Sequence, residues 1–179
     1  MAAKTYSMTE GTIFKGIIFF AIPLFFGNLF QQLYNTADSL IVGNFLGSAA
    51  LAAVSSSGNI INLLVGFFNG ISVGAGVVVS RYYGGGNSKM VQKAIHTTIA
   101  FALAAGVILT IGGYFLAPRL LVLIGTPYDV LPNSITYFQI YFLGSLAFVL
   151  YNALSGILQA VGDSRHPLYY LIISSVTNV

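Results

Sequence analysis

Long apolar runs separated by short polar stretches dominate the chain. They lie near Ile13–Val42, Leu51–Ser80, Ala94–Leu116 and Ser134–Val161, and another begins at Leu168. A helix crosses the hydrocarbon core of a bilayer with about 20 residues, and runs that are apolar throughout, rather than alternating, read as membrane helices. The pattern predicts an all-α membrane protein, a polytopic helix bundle with four complete transmembrane helices plus part of a fifth. The last run reaches Val179 without a charge, a glycine cap or an aromatic anchor, as in a chain truncated within the fifth helix. Residues 1–12 then form an N-terminal segment and residues 13–179 the membrane bundle. The first run is over-long, because roughly thirty residues at about 1.5 Å each make about 45 Å against a core of about 30 Å. Pro23 offers a kink, and Ser7 with Glu10 has the spacing of a capping box, so the first turns can lie in the interface.

Composition agrees with this pattern and narrows the function. Hydrophobic residues make up 56% of the chain and charged residues 6%, where soluble domains carry roughly a quarter charged. Cytoplasmic loops retain Lys and Arg. Lys4, Lys15, Arg81, Lys89, Lys93 and Arg165 fall on one side of the predicted spans and only Arg119 on the other. The N-terminus is therefore expected in the cytoplasm of a multi-pass plasma-membrane protein, and the net charge of +3 is this topological bias rather than a nucleic-acid footprint. Without cysteine there are no disulfides or thiolate metal sites. Gly84-Gly-Gly-Asn-Ser-Lys89 lacks the spacing and the preceding strand of a phosphate loop. No Ser/His/Asp arrangement supports catalysis, so the chain is not read as an enzyme and no cofactor is expected.

Within the first run, Asp38 is the only acidic residue between Gly11 and Ser80. Asn28, Gln31, Gln32, Asn35, Asp38 and Ser39 fall within an arc of about 120° at 100° per residue, one polar stripe on an apolar helix. An ionisable group there is by default a candidate ion or proton site; the plainer reading is a structural or headgroup-level carboxylate. A second stripe carries Ser55, Asn59, Asn62, Gly66, Asn69, Val73 and Gly76, and a third carries Tyr141, Ser145, Phe148, Asn152, Ser155 and Gln159. Three such helices can enclose a cavity, with Asn28, Gln31, Gln32, Asn35, Asn59, Asn62, Asn152 and Gln159 as candidate lining, although amides and glycines also serve as interhelical glue. Gly66-x-x-x-Gly70-x-x-x-Gly74 has the small-residue pattern of close helix packing. The third run is nearly uniform and is expected to face lipid. Tyr6, Tyr82, Tyr83, Tyr114, Tyr128 and Tyr137 read as interface anchors.

Phe20-Ala-Ile-Pro-Leu24, Gly27-Asn-Leu-Phe-Gln-Gln-Leu-Tyr-Asn-Thr-Ala-Asp38, Val42-Gly-Asn-Phe-Leu-Gly47 with Ala50-Leu-Ala-Ala-Val54, and Gly156-Ile-Leu-Gln-Ala-Val-Gly-Asp163 together resemble the multidrug and toxic compound extrusion (MATE) family, from about Thr9 to Val179. The resemblance implies a twelve-helix transporter of two six-helix lobes, of which this chain matches most of the first. It also implies secondary active antiport, in which organic and often cationic compounds leave in exchange for Na⁺ or H⁺. Asp38 matches the family's coupling carboxylate, and Asn178 matches an asparagine that commonly joins it, making Asp38 and Asn178 a possible Na⁺ site. A second acid would follow just beyond residue 179. The implied partners are a small organic substrate, the bilayer and the C-terminal remainder of the transporter. Two alternatives stay open. A lipid-linked saccharide flippase of the same superfamily would show a basic cavity, and a non-transport structural bundle would have no use for a carboxylate within an amide stripe.

Overall fold

The computed structural model describes residues 12–178, with the side chains of residues 46, 48–50, 53, 56, 57, 59 and 178 outside that description. The capping box expected at Ser7 and Glu10 thus lies outside the described residues. Every regular element among them is helical: α1 (Ile13–Ile41), a π-helical stretch (Val42–Leu46), α2 (Gly47–Gly84), α3 (Ser88–Leu123), α4 (Leu131–Leu143), α5 (Ser145–Ala160) and α6 (Arg165–Asn178). Three of these helices are long and apolar enough to cross a membrane, or four when the bent pair α4 and α5 counts as one crossing.

Turn chemistry fixes the corners. Gly125 and Gly162 adopt positive φ (76° and 90°) just after α3 and α5, a conformation that glycine takes without a Cβ penalty at helix C-termini. The Asn87 side chain accepts the Met90 N–H at 3.1 Å and caps the start of α3. Asp163 caps α6, its Oδ1 accepting the N–H groups of Arg165 and His166 at 3.2 Å each. α1 continues through the buried Pro23 as one helix.

α2, α3, α4 and α5 form the packed body. One core cluster joins Phe68, Ala102, Val149 and Ala153; a second joins Ala117, Leu121, Phe138 and Phe142. The third helix exposes large apolar residues, as expected of a lipid-facing helix, but one face of it is packed. α3 packs against α2, α4 and α5 and buries Ala102, Gly106, Gly113, Ala117 and Leu121, while its larger residues such as Ile108 and Phe115 stay exposed. Leu121 apart, the distinction along α3 is small against large, not polar against apolar, and small residues let backbones approach in a lipid solvent. A Cβ at Gly106 would come within 2.7 Å of Leu146, and one at Gly113 would overlap the Phe142 ring.

Two further expectations change. The close approach of α2 lies not at Gly66, Gly70 and Gly74, where an added Cβ meets nothing within 4 Å, but at Gly76 and Gly156. A Cβ on Gly156 would sit 2.8 Å from the Ser72 carbonyl oxygen, and one on Gly76 would sit 3.2 Å from that of Gly156. The fourth run is also not one straight helix, since α4 and α5 meet at a 48° bend at the Gly144-Ser145 pair, a combination that commonly kinks helices. There the Ser145 hydroxyl donates to the Phe142 carbonyl at 2.7 Å and pairs with the Thr110 hydroxyl at 3.0 Å. α1 stands outside this body and packs chiefly on α6.

Candidate functional site

A cavity of about 800 Å³ opens between the α1–α6 pair and the α2–α5 face. Its polar lining comes from Asn28 and Gln31 on α1, Asn69, Ser72 and Ser80 on α2, Asn152, Ser155 and Gln159 on α5, and Ser174 on α6; Phe20, Tyr83, Phe148, Tyr151 and Tyr170 add aromatic surface. None of the described lining residues is charged. Helical periodicity accounts for the convergence, because residues three, four and seven apart share a face. Asn152 donates one amide N–H to the Phe148 carbonyl at 2.8 Å, which leaves its carbonyl oxygen and second N–H for a ligand. The Tyr151 hydroxyl donates to the Pro167 carbonyl at 3.3 Å and ties α5 to the start of α6.

The polar stripe of α1 divides. Asn28 and Gln31 reach the cavity, whereas Gln32 and Asn35 are not in its lining and hydrogen-bond to each other at 3.5 Å. Asn62 is also outside the lining. The side chains of Asn59 and Asn178 lie outside the described residues; the backbone of Asn178 closes α6. Asn69 and the serines extend the candidate list.

Asp38 is half-buried seven residues beyond Gln31, about 10 Å along the helix at about 1.5 Å per residue. The Tyr34 hydroxyl, one turn earlier, hydrogen-bonds to its carboxylate. Tyr137 on α4 lies within electrostatic reach of both Asp38 and Tyr34, and Tyr141, one turn further along α4, interacts with Tyr34 and Tyr137. Tyr34 thus pairs with the carboxylate, Tyr137 lies within its electrostatic reach, and Tyr141 extends the group of phenols through Tyr34 and Tyr137. Sequence reading took Tyr137 for an interface anchor and Tyr141 for one member of a polar face. Their i, i+4 spacing was the available signal, but only the tertiary fold brings Tyr137 within electrostatic reach of Asp38 and Tyr141 within reach of Tyr34. Among the described residues no group of three or more His, Cys, Asp or Glu side chains forms a metal cluster. A tyrosine hydroxyl can donate to an ionised carboxylate or accept from a protonated one, so this arrangement can accommodate the carboxyl group in either charge state.

Comparison with known proteins adds a family. A family model described as MatE matches residues 23–179. The probable multidrug resistance protein YpnP of Bacillus subtilis (strain 168) is 32% identical over 175 residues, covering 98% of this chain and 39% of that protein. The multidrug export protein MepA of Staphylococcus saprophyticus is 25% identical, covering 98% of this chain and 39% of its own length. A solved MATE structure in the straight conformation superimposes with a TM-score of 0.90 at 25% identity over 99% of this chain and 39% of that one. The chain spans about 39% of the length of these curated relatives.

Proposed function

This chain belongs to the MatE family, and from that premise we propose that it forms the first lobe of a multidrug exporter that expels organic compounds in exchange for Na⁺ or H⁺. It sits in the plasma membrane with its N-terminus in the cytoplasm, makes four crossings and enters a fifth. The observation that carries the reading is that one helix, α1, serves both the uncharged cavity, through Asn28 and Gln31, and the carboxylate cluster, through Tyr34 and Asp38.

An ionised carboxylate in a low-dielectric setting is stabilised by a bound Na⁺ or by protonation. The Tyr34 hydroxyl can donate to the carboxylate, and the Asn178 carbonyl oxygen suits Na⁺ as a hard oxygen ligand. Loading the cluster changes its charge without occupying the substrate space about two turns away. A helix that contributes to both places can bias the two-state equilibrium of alternating access, provided the ion binds the two states differently. The absence of Lys and Arg from the cavity lining weighs against the lipid-linked saccharide flippase.

The test is dye efflux by the full-length transporter as a function of Na⁺ and pH. Asp38→Asn keeps shape and removes titration, and it is expected to abolish ion dependence. Tyr34→Phe removes one hydrogen bond to a charged group, about 1.5 kcal/mol, and should shift the ion midpoint roughly tenfold. Asn178→Ala is expected to move the same midpoint. Normal Na⁺- or pH-dependent efflux by Asp38→Asn would refute the coupling role.

A further inference from the structure

One end of the bundle is strongly basic. Lys15, Arg81, Lys89, Lys93 and Arg165 are all exposed there, and among the described residues no ion pair joins any of them to a carboxylate. α2 ends and α3 begins at this end through the turn at residues 85–87. The cavity lining includes Tyr83 and Gly84 from the close of α2 together with Gly162, Ser164 and Pro167 from the α5–α6 corner, so the two corners meet at one mouth. The start of α1, with Lys15, is at the same end because α1 joins α2 at the opposite one. The single described carboxylate here, Asp163, is held by the backbone N–H groups of Arg165 and His166 and by the His166 ring.

The surroundings of these cations discriminate between anionic partners. Tyr83, Tyr169 and Tyr170 are each about half exposed, and Val77, one turn before Arg81, is 61% exposed. A soluble anion or an acidic protein surface has no use for an aromatic collar and a lipid-depth apolar wall beside the charge. An amphiphile with an anionic head and hydrocarbon chains matches all three. Guanidinium groups pair with phosphate in a planar, bidentate manner, tyrosines sit at headgroup level, and basic pockets between membrane helices hold anionic headgroups.

We propose that this basic end is a binding surface for anionic phospholipid, with Arg81 and Arg165 engaging the headgroup phosphate beside the cavity mouth. The surface is independent of the transport reading. It makes the bilayer's composition a determinant of the protein's state at that mouth, beyond the part these cations play in setting orientation.

The full-length protein would be reconstituted in phosphatidylcholine bilayers containing trace spin-labelled phosphatidylglycerol or spin-labelled phosphatidylcholine, and the motionally restricted fraction of each label measured. Wild type should prefer phosphatidylglycerol, and the preference should weaken at high salt. Arg81→Gln with Arg165→Gln should reduce it roughly fivefold for each arginine removed, corresponding to about 1 kcal/mol per surface charge. Arg119→Gln, at the other end, should leave it unchanged. If the arginine pair fails to fold, Lys89→Gln with Lys93→Gln reports on the same surface and should weaken the preference in the same direction. Equal association of the two lipids with wild type would overturn the proposal. So would an unchanged preference in the paired variants, or an equal loss on Arg119→Gln.

Discussion

Replacing Gly156 by alanine tests the packing of α2 on α5 with a sign as well as a size. The added Cβ would lie 2.8 Å from the Ser72 carbonyl oxygen and 3.3 Å from both its carbonyl carbon and its Cβ. The first two are backbone atoms, which cannot swing aside like the end of a flexible side chain. Restoring ordinary contact means parting the helices by about half an ångström, and a gap of that order forfeits about a quarter of each dispersion well along the seam. Overpacking costs about 1–3 kcal/mol, and the better helix propensity of alanine returns about 0.5–1 kcal/mol. The expected net loss is about 1–2 kcal/mol. Gly66→Ala is the control: it meets nothing within 4 Å, keeps only the propensity gain, and should stabilise by about 0.5–1 kcal/mol. Unfolding of the full-length protein in mixed micelles of rising SDS fraction measures both. A Gly156→Ala protein as stable as wild type, or a Gly66→Ala protein destabilised to the same degree, would refute the assignment of the seam to Gly76 and Gly156.

Two further outcomes are expected. Asp163→Ala should cost about 1 kcal/mol through loss of a helix cap. Burial raises the Asp163 pKa, but hydrogen bonds from the His166 backbone and ring, the His166 charge and the Arg165 N–H outweigh it and hold the carboxyl below its usual value. A lowered folded pKa contributes stability that is present above the ordinary Asp value of about 3.9 and lost as pH falls through the lowered one. The difference between wild type and variant should therefore shrink as pH falls below the ordinary Asp value, and a difference that instead grew through that range would contradict the cap. For topology, single cysteines on this cysteine-free chain should be labelled from outside at the 88%-exposed Tyr128 and not at Gly85; the reverse pattern would invert the proposed orientation.

Polarity made part of the design legible in the sequence. The runs of α1, α2 and α3 are long and apolar enough to cross a membrane, and the amides of α1 and α5 stand out against greasy neighbours. What escaped was carried by size and by tertiary distance. Gly106 and Gly113 look like any apolar residues of α3, yet their smallness seats Leu146 and Phe142. The Gly66, Gly70 and Gly74 pattern carried the right motif on a face where, among the described residues, an added Cβ meets nothing within 4 Å. Gly144-Ser145 signals a kink in hindsight, whereas the π-helical turn at Val42–Leu46 has no comparable local cue. Tyr137 comes within electrostatic reach of Asp38 across about a hundred residues of chain, a proximity that periodicity within one helix cannot express.

The break between α4 and α5 has a mechanical consequence. A straight rod crossing the bilayer fixes the azimuth of one end to that of the other, so that turning Tyr137 about the axis would turn Asn152 with it. With a 48° bend at Gly144, the two ends become separate lever arms meeting at a joint whose Phe142 carbonyl accepts the Ser145 hydroxyl. A bare carbonyl at membrane depth would cost several kcal/mol; the hydroxyl satisfies it inside the packed body. The pair α4 and α5 thus forms two short beams sharing a pin at Thr110 and Ser145, and strain applied to the tyrosine end reaches the amide end through that pin and through the flanks of α2 and α3.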